Sequence, residues 1–119
     1  MSAPHTPTDT QALPAGRELD ALVAEKVMGW APGADFAAAT YWSFSTNIAD
    51  AWHIVERMRE QQRMVSLNWL PDSGEWFASI YPPPGEFGLP FDGYGDTAPL
   101  ALSRAALAAV GGAGRNDGT

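Results

Sequence analysis

The stretch that decides the fold is residues 64–81, MVSLNWLPDSGEWFASIY. Val65, Leu67 and Trp69 alternate on one face of the first half, and Trp76, Ala78 and Ile80 on one face of the second. Period-2 alternation is the mark of a strand with one buried side. Between the halves, Pro71-Asp72-Ser73-Gly74 fits a type I turn closed by a glycine in the left-handed conformation. The spacing predicts an antiparallel hairpin over 64–70 and 75–81, with Trp69 and Trp76 as a cross-strand packing pair. Two strands alone are marginal in water. The hairpin needs helices, and a partner strand from elsewhere in the chain or from a second copy in a homodimer.

Working outward, the helices are predicted from the 3.6-residue rhythm. Residues 17–29 carry Leu19, Leu22, Val23, Val27 and Trp30 on one stripe, with Glu18 and Asp20 in the dipole-favoured first turn and Gly29 as the stop. Residues 48–62 carry Ile48, Ala51, Trp52, Val55 and Met58, after Asn47 as the cap (Thr46 the rival) and with Asp50 three residues on. Residues 98–110 follow Asp96-Thr97 as the cap. Pro99 stands in the first turn, and Ala101, Ala105 and Ala108 form a small-residue face suited to close packing on a sheet.

Three connections remain. Residues 31–45 include a Pro32-Gly33 turn signal and a segment, TYWSF at 40–44, that reads either as a short edge strand or as a loop laying aromatics over the core. Residues 82–95, PPPGEFGLPFDGYG, read as one long loop, a length often functional in a small domain. Residues 1–15 and 111–119 read as flexible tails around a single folded domain at 16–110. The resulting fold class is α/β (α+β): a small helix–sheet–helix sandwich in the order ααββα around a central antiparallel hairpin.

Composition removes several function classes. The chain has 119 residues and a net charge of −7, with 7 Lys and Arg against 14 Asp and Glu. No basic face can be assembled for direct nucleic-acid binding or for an anionic membrane. With no Cys, disulfides, thiolate metal sites and a Cys nucleophile are excluded. No apolar run reaches a membrane span and no signal peptide is visible, so a cytoplasmic location is expected.

No catalytic or metal-ligating constellation stands out. His53 falls on the polar side of its helix and lacks the converging ligands a metal needs. A Ser-His-Asp arrangement would have to draw on Ser45, with no nucleophile elbow around it. No cofactor is implied, and enzyme activity is not expected. The candidate ligand site is the pair of helix launches. Ser45, Thr46 and Asn47 at one and Asp96 and Thr97 at the other carry side-chain oxygens that accept first-turn N–H groups. Capping alone accounts for them. If the two starts converge, they would offer a polar pocket for a nucleotide-like ligand, roofed by Tyr41, Trp42, Phe91 or Tyr94 and with Arg104 offsetting the Asp96 charge. The candidate partner interface is Trp76, Phe87, Phe91 and Tyr94.

Taken together, RELDALVAEKVMGW, FSTNIADAWHIVERM, the Trp hairpin and DTAPLALSRAALAAVG resemble the phage ABA sandwich domain family. The resemblance rests on Ser45-Thr46 with Trp52 and Val55-Glu56, and on Asp96-Thr97-Ala98-Pro99-Leu100. It implies a helix–sheet–helix sandwich of phage or prophage origin, placed in the host cytoplasm, with no assigned reaction. Phe44 stands where a Tyr is common and Asn47 where an Asp is common. Binding and modulation of a host or phage protein, as inhibitor or adaptor and including counter-defence, is the function expected. Sequestration of a small nucleotide-like ligand is the alternative.

Overall fold

The computed structural model describes residues 13–29 and 42–111. The hairpin forms where its alternation places it. β1 (Val65–Leu70) and β2 (Glu75–Ile80) pair antiparallel, from Val65 opposite Ile80 to Leu70 opposite Glu75. Trp69 stands opposite Trp76, their ring centroids 5.5 Å apart. Gly74 has φ 72°, the left-handed value the turn requires, and its N–H donates to the Leu70 carbonyl at 2.9 Å.

The partner strand comes from the chain itself. β3 (Phe91–Gly95) lies antiparallel to β2, with Phe91 opposite Ile80 and Gly95 opposite Trp76. The element order is therefore ααβββα. The second half of the predicted 82–95 loop is a strand, and the ααββα order is corrected by that one element. The reason lies in its composition. FDGYG places glycine at two of the three inward positions, where a strand normally advertises itself with branched or aromatic side chains.

Those glycines are there because a helix lies on them. α3 (Ala98–Gly111) packs against β3 and β2. A Cβ on Gly93 would sit 2.4 Å from both the Ala101 carbonyl oxygen and the Ala105 nitrogen, and one on Gly95 would meet the Leu100 side chain at 2.7 Å. Of the predicted small-residue face, Ala101 and Ala105 are wholly buried and Ala108 is partly so. On its other side α3 carries the remaining helices, so Leu100, Leu102, Ser103, Ala106, Leu107 and Ala109 are buried as well. A helix apolar all round belongs in the interior.

α1 (Arg17–Leu22) continues without a break into a π-helical stretch, Val23–Val27. Leu19, Val23, Ala24 and Val27 are buried, Leu22 partly so, and Gly29 has φ 78°. α2 (Ile48–Glu60) is capped by Asn47, whose side chain accepts the Asp50 N–H at 3.1 Å. Its buried stripe is Ala51, Ile54 and Met58, with Val55 partly covered. Ile48 and Trp52, expected in that stripe, are 51% and 54% exposed. At 100° per residue the stripe centres near Met58, which leaves Ile48 about 70° and Trp52 about 110° from its middle.

In the 42–47 connection, Phe44 is wholly buried and Trp42 stacks on it at 5.7 Å, so these aromatics lie over the core as a loop. Trp30, the Pro32-Gly33 turn, Thr40 and Tyr41 lie outside the described residues, as do 1–12 and 112–119. The core cluster joins α1, α2 and α3 to Val65, Leu67, Trp76, Ala78, Ile80 and Phe91, all on one face of the sheet. Successive strand residues face opposite ways, so Ser66, Asn68, Phe77, Ser79, Asp92 and Tyr94 share the other face. There the Ser79 hydroxyl donates to Asp92 Oδ1 at 2.8 Å, and Phe77 packs at a tilt against Tyr94, their ring centroids 4.8 Å apart.

Candidate functional site

The first helix launch is organised around a residue that the sequence marks only as a first-turn acid favoured by the helix dipole. Asp20 is buried, and its Oδ1 accepts both the hydroxyl of Ser45 at 2.7 Å and the Ser45 N–H at 2.8 Å. The Gly16 N–H donates to Ser45 Oγ at 2.9 Å. This clasp ties the start of α1 to the turn that starts α2. Around it, Asp50 Oδ2 accepts the Ser43 N–H at 2.9 Å and Asn47 caps the helix. Ser45 is wholly buried, while Thr46 and Asn47 are exposed. The Ser45 oxygen is therefore spent on structure. A signal for Asp20 did exist. It stands three, four and seven residues before Val23, Ala24 and Val27, inside the apolar stripe and not opposite it.

The second launch is simpler. Thr97 Oγ1 accepts the Leu100 N–H at 3.4 Å, and both Asp96 and Thr97 are exposed. Arg104 is engaged elsewhere on the helix. Its Nη2 and Nε donate to the Leu13 carbonyl at 2.6 and 3.3 Å, and its Nη1 to the Tyr94 carbonyl at 2.8 Å. One guanidinium thus holds the segment entering α1 against β3. Leu13 is itself partly buried against the core. Three residues further on, Gly16 meets Ser45, so the start of α2 is linked through α1 to the first half of α3.

The expected aromatic roof divides. Trp42 lies over Phe44 and meets the His53 ring edge-on at 4.7 Å. Phe91 and Tyr94 stand on opposite faces of β3. Tyr41 lies outside the described residues. The expected interface residues divide too: Trp76 pairs with Trp69 next to the hairpin turn, and Tyr94 with Phe77 on the outer face.

Phe87 and Phe91 both line a cleft of about 560 Å³ at the opposite end of the sheet. Its walls include Arg63, Pro82, Phe87, Leu89, Phe91 and Ala109, with Glu86 also at the lining. Phe87 is 100% exposed and Leu89 85%. Arg63 follows Gln62, a non-glycine residue with φ 61°, in the turn between α2 and β1. Its Nε donates to Gln61 Oε1 at 3.0 Å. Its Nη1 is buried and has no hydrogen-bond partner among the described residues. Nothing in the spacing around Arg63 marks it. Only the Pro/Gly/aromatic composition of 82–95 points to this place.

Among the described residues there is no cluster of three or more His, Asp or Glu able to hold a metal ion, and no helix long and apolar enough to cross a membrane.

The fold has a solved counterpart. A structure described as the 2.0 Å crystal structure of a phage protein from Bacillus cereus ATCC 14579 is similar, with a TM-score of 0.63. The two share 21% sequence identity over 83% of this chain and 95% of that one, a likeness of fold. No curated protein matches the chain. The family model of the phage ABA sandwich domain matches residues 21–107, from α1 through most of α3. By that match, over well more than half of its length, the chain belongs to the phage ABA sandwich domain family.

Proposed function

We propose that this protein acts without catalysis, by binding a phage or host protein as an inhibitor or adaptor. The observation that carries the reading is the exposed apolar pair on the 82–90 loop, Phe87 and Leu89, beside a formed cleft. Burying a side chain of this size contributes about 1.5–3 kcal/mol. The pair together supplies a substantial part of the ~8 kcal/mol of a micromolar complex. Large apolar side chains held at full exposure next to a concavity mark interaction sites more than isolated ones do. Membership of a phage family supports a host-directed role, counter-defence included.

The alternative, a nucleotide-like ligand at the two helix launches, has less to draw on. The Ser45 hydroxyl and the Arg104 guanidinium are both engaged by the protein's own groups. A melting-temperature rise with any nucleotide of a panel would revive it.

The test uses the full chain immobilised against host lysate, beside the double variant Phe87→Ser/Leu89→Ser. A host protein retained by the wild type, lost by the variant and then bound by the purified wild type in calorimetry supports the reading. Retention of the same proteins by both forms overturns it.

A further inference from the structure

We infer that this chain forms a homodimer through the free edge of β1, paired antiparallel with the same strand of a second copy and with Leu67 facing Leu67 across a two-fold axis. The inference is independent of the protein-binding reading above.

β1 is the outer strand of the sheet, hydrogen-bonded on one side to β2 and with no described strand on the other. Antiparallel strands bond at alternate residues. The Met64 carbonyl accepts the Tyr81 N–H at 2.9 Å, so Met64, Ser66, Asn68 and Leu70 turn their backbone groups toward β2. Val65, Leu67 and Trp69 turn theirs outward. An open edge of this kind is a template for another strand, and proteins blunt it with charge, proline or a bulge. The opposite edge of this sheet is blunted. By the same alternation the outward residues of β3 are Asp92 and Tyr94. Asp92 brings a charge, and the Tyr94 carbonyl is taken by Arg104 Nη1 at 2.8 Å. β1 has no such device. Residues 64–70, MVSLNWL, contain no charge and no proline, and their register against β2 runs without a bulge. Met64 and Trp69 are left exposed.

The sequence of the strand selects the occupant. About Leu67 it mirrors itself: Ser66 answers Asn68, Val65 answers Trp69, and Met64 answers Leu70. Two-fold pairing centred on Leu67 therefore sets apolar on apolar and polar on polar at every position. It also brings the outward N–H and C=O groups of Val65, Leu67 and Trp69 opposite one another. Paired residues share a face, so the core sides of both copies fall on one side of a continuous sheet. Exposed Trp69 gains Val65 of the other copy, and exposed Met64 gains Leu70. A strand from an unrelated protein would not require this symmetry, and a second copy does.

Sedimentation equilibrium of the full chain from about 1 μM to about 1 mM reads the association. The expected result is a rise from monomer to dimer mass. Over the same range, hydrogen exchange at the Val65, Leu67 and Trp69 amides should slow at least about tenfold. A monomer throughout, or a dimer in which these three amides exchange as fast as in the monomer, overturns the inference. Neither measurement needs a variant. The register is tested with Ser66→Lys/Asn68→Lys and Ser66→Asp/Asn68→Asp, which set like charges opposite each other across the axis. Each should be monomeric with the circular dichroism of the wild type, and an equimolar mixture should recover the dimer. A folded lysine variant that still dimerises, or two folded variants whose mixture stays monomeric, overturns the pairing.

Discussion

Replacing Gly93 with alanine tests the central packing of this fold with a single methyl group. The position is buried on β3, opposite Ala78. Its backbone does not demand glycine: no left-handed φ occurs there, and alanine is the better strand former. The whole cost must therefore come from α3. The added Cβ would lie 2.4 Å from the Ala101 oxygen and the Ala105 nitrogen and 3.0 Å from the Ala105 Cα. All three are backbone atoms, so no rotamer change relieves them. Reaching ordinary contact near 3.4 Å requires the helix to retreat by about 1 Å. A gap of 0.5–1 Å forfeits a quarter to a half of each ~0.1–0.2 kcal/mol atom contact. Over the roughly 100 contacts of an interface the size of two leucine side chains, the loss is about 4 kcal/mol or more.

For a domain of this size that loss lowers the melting temperature by at least about 15 °C, and it is a large share of a total stability of ~5–15 kcal/mol. Thermal and urea unfolding followed by circular dichroism measure it. Gly74→Ala is the comparator, since no atom lies within 4 Å of its Cβ but φ is 72°. That variant should lose only the ~1–2 kcal/mol of a left-handed alanine. A Gly93→Ala protein melting within about 5 °C of wild type, or more stable than Gly74→Ala, would refute the close approach of α3 to β3.

Four further variants probe polar groups by the same assay. Ser103→Ala removes a wholly buried hydroxyl without a partner among the described residues, and should raise stability by about 1 kcal/mol. A drop would mean that the hydroxyl is satisfied. Ser45→Ala deletes the 2.7 Å bond to Asp20 and leaves the carboxylate only the Ser45 N–H, for a loss of about 1.5–3 kcal/mol in urea unfolding. An unchanged midpoint would show the clasp to be idle. Asn47→Ala should cost about 1 kcal/mol, as the exposed cap of α2, and Asn47→Asp should hold wild-type stability or exceed it, because an acid there also suits the helix dipole.

What could be read from the residues follows from where side chains carry the information. The Trp hairpin, the Asn47 and Thr97 caps and the alanine face of α3 were legible, because alternation, capping oxygens and small-residue spacing are local patterns. β3 was not, because its signal is the absence of side chains at Gly93 and Gly95. That absence has meaning only once α3 is known to lie there. Trp52 misled for the opposite reason. A large aromatic near an apolar stripe is counted as core, yet its angle on the helix puts it at the edge. The cleft was half legible: the loop that walls it declares itself by composition, and Arg63, which also lines it, is one residue of a short turn.

The two helix launches show where such reading meets its limit. Both present Ser, Thr, Asn or Asp before a helical run, and as capping clusters they are alike. Their structural fates differ because of a residue in neither cluster. Asp20 sits within the apolar stripe of α1 and needs satisfied donors at its burial depth, and Ser45 supplies two of them. Thr97 faces no such carboxylate, stays exposed and only caps. A polar cluster at a helix start is thus defined by what the neighbouring helix buries against it. In this chain that demand turns one launch inward as a structural clasp. The buried polar atoms without a partner among the described residues, Arg63 Nη1 and Ser103 Oγ, belong to neither launch.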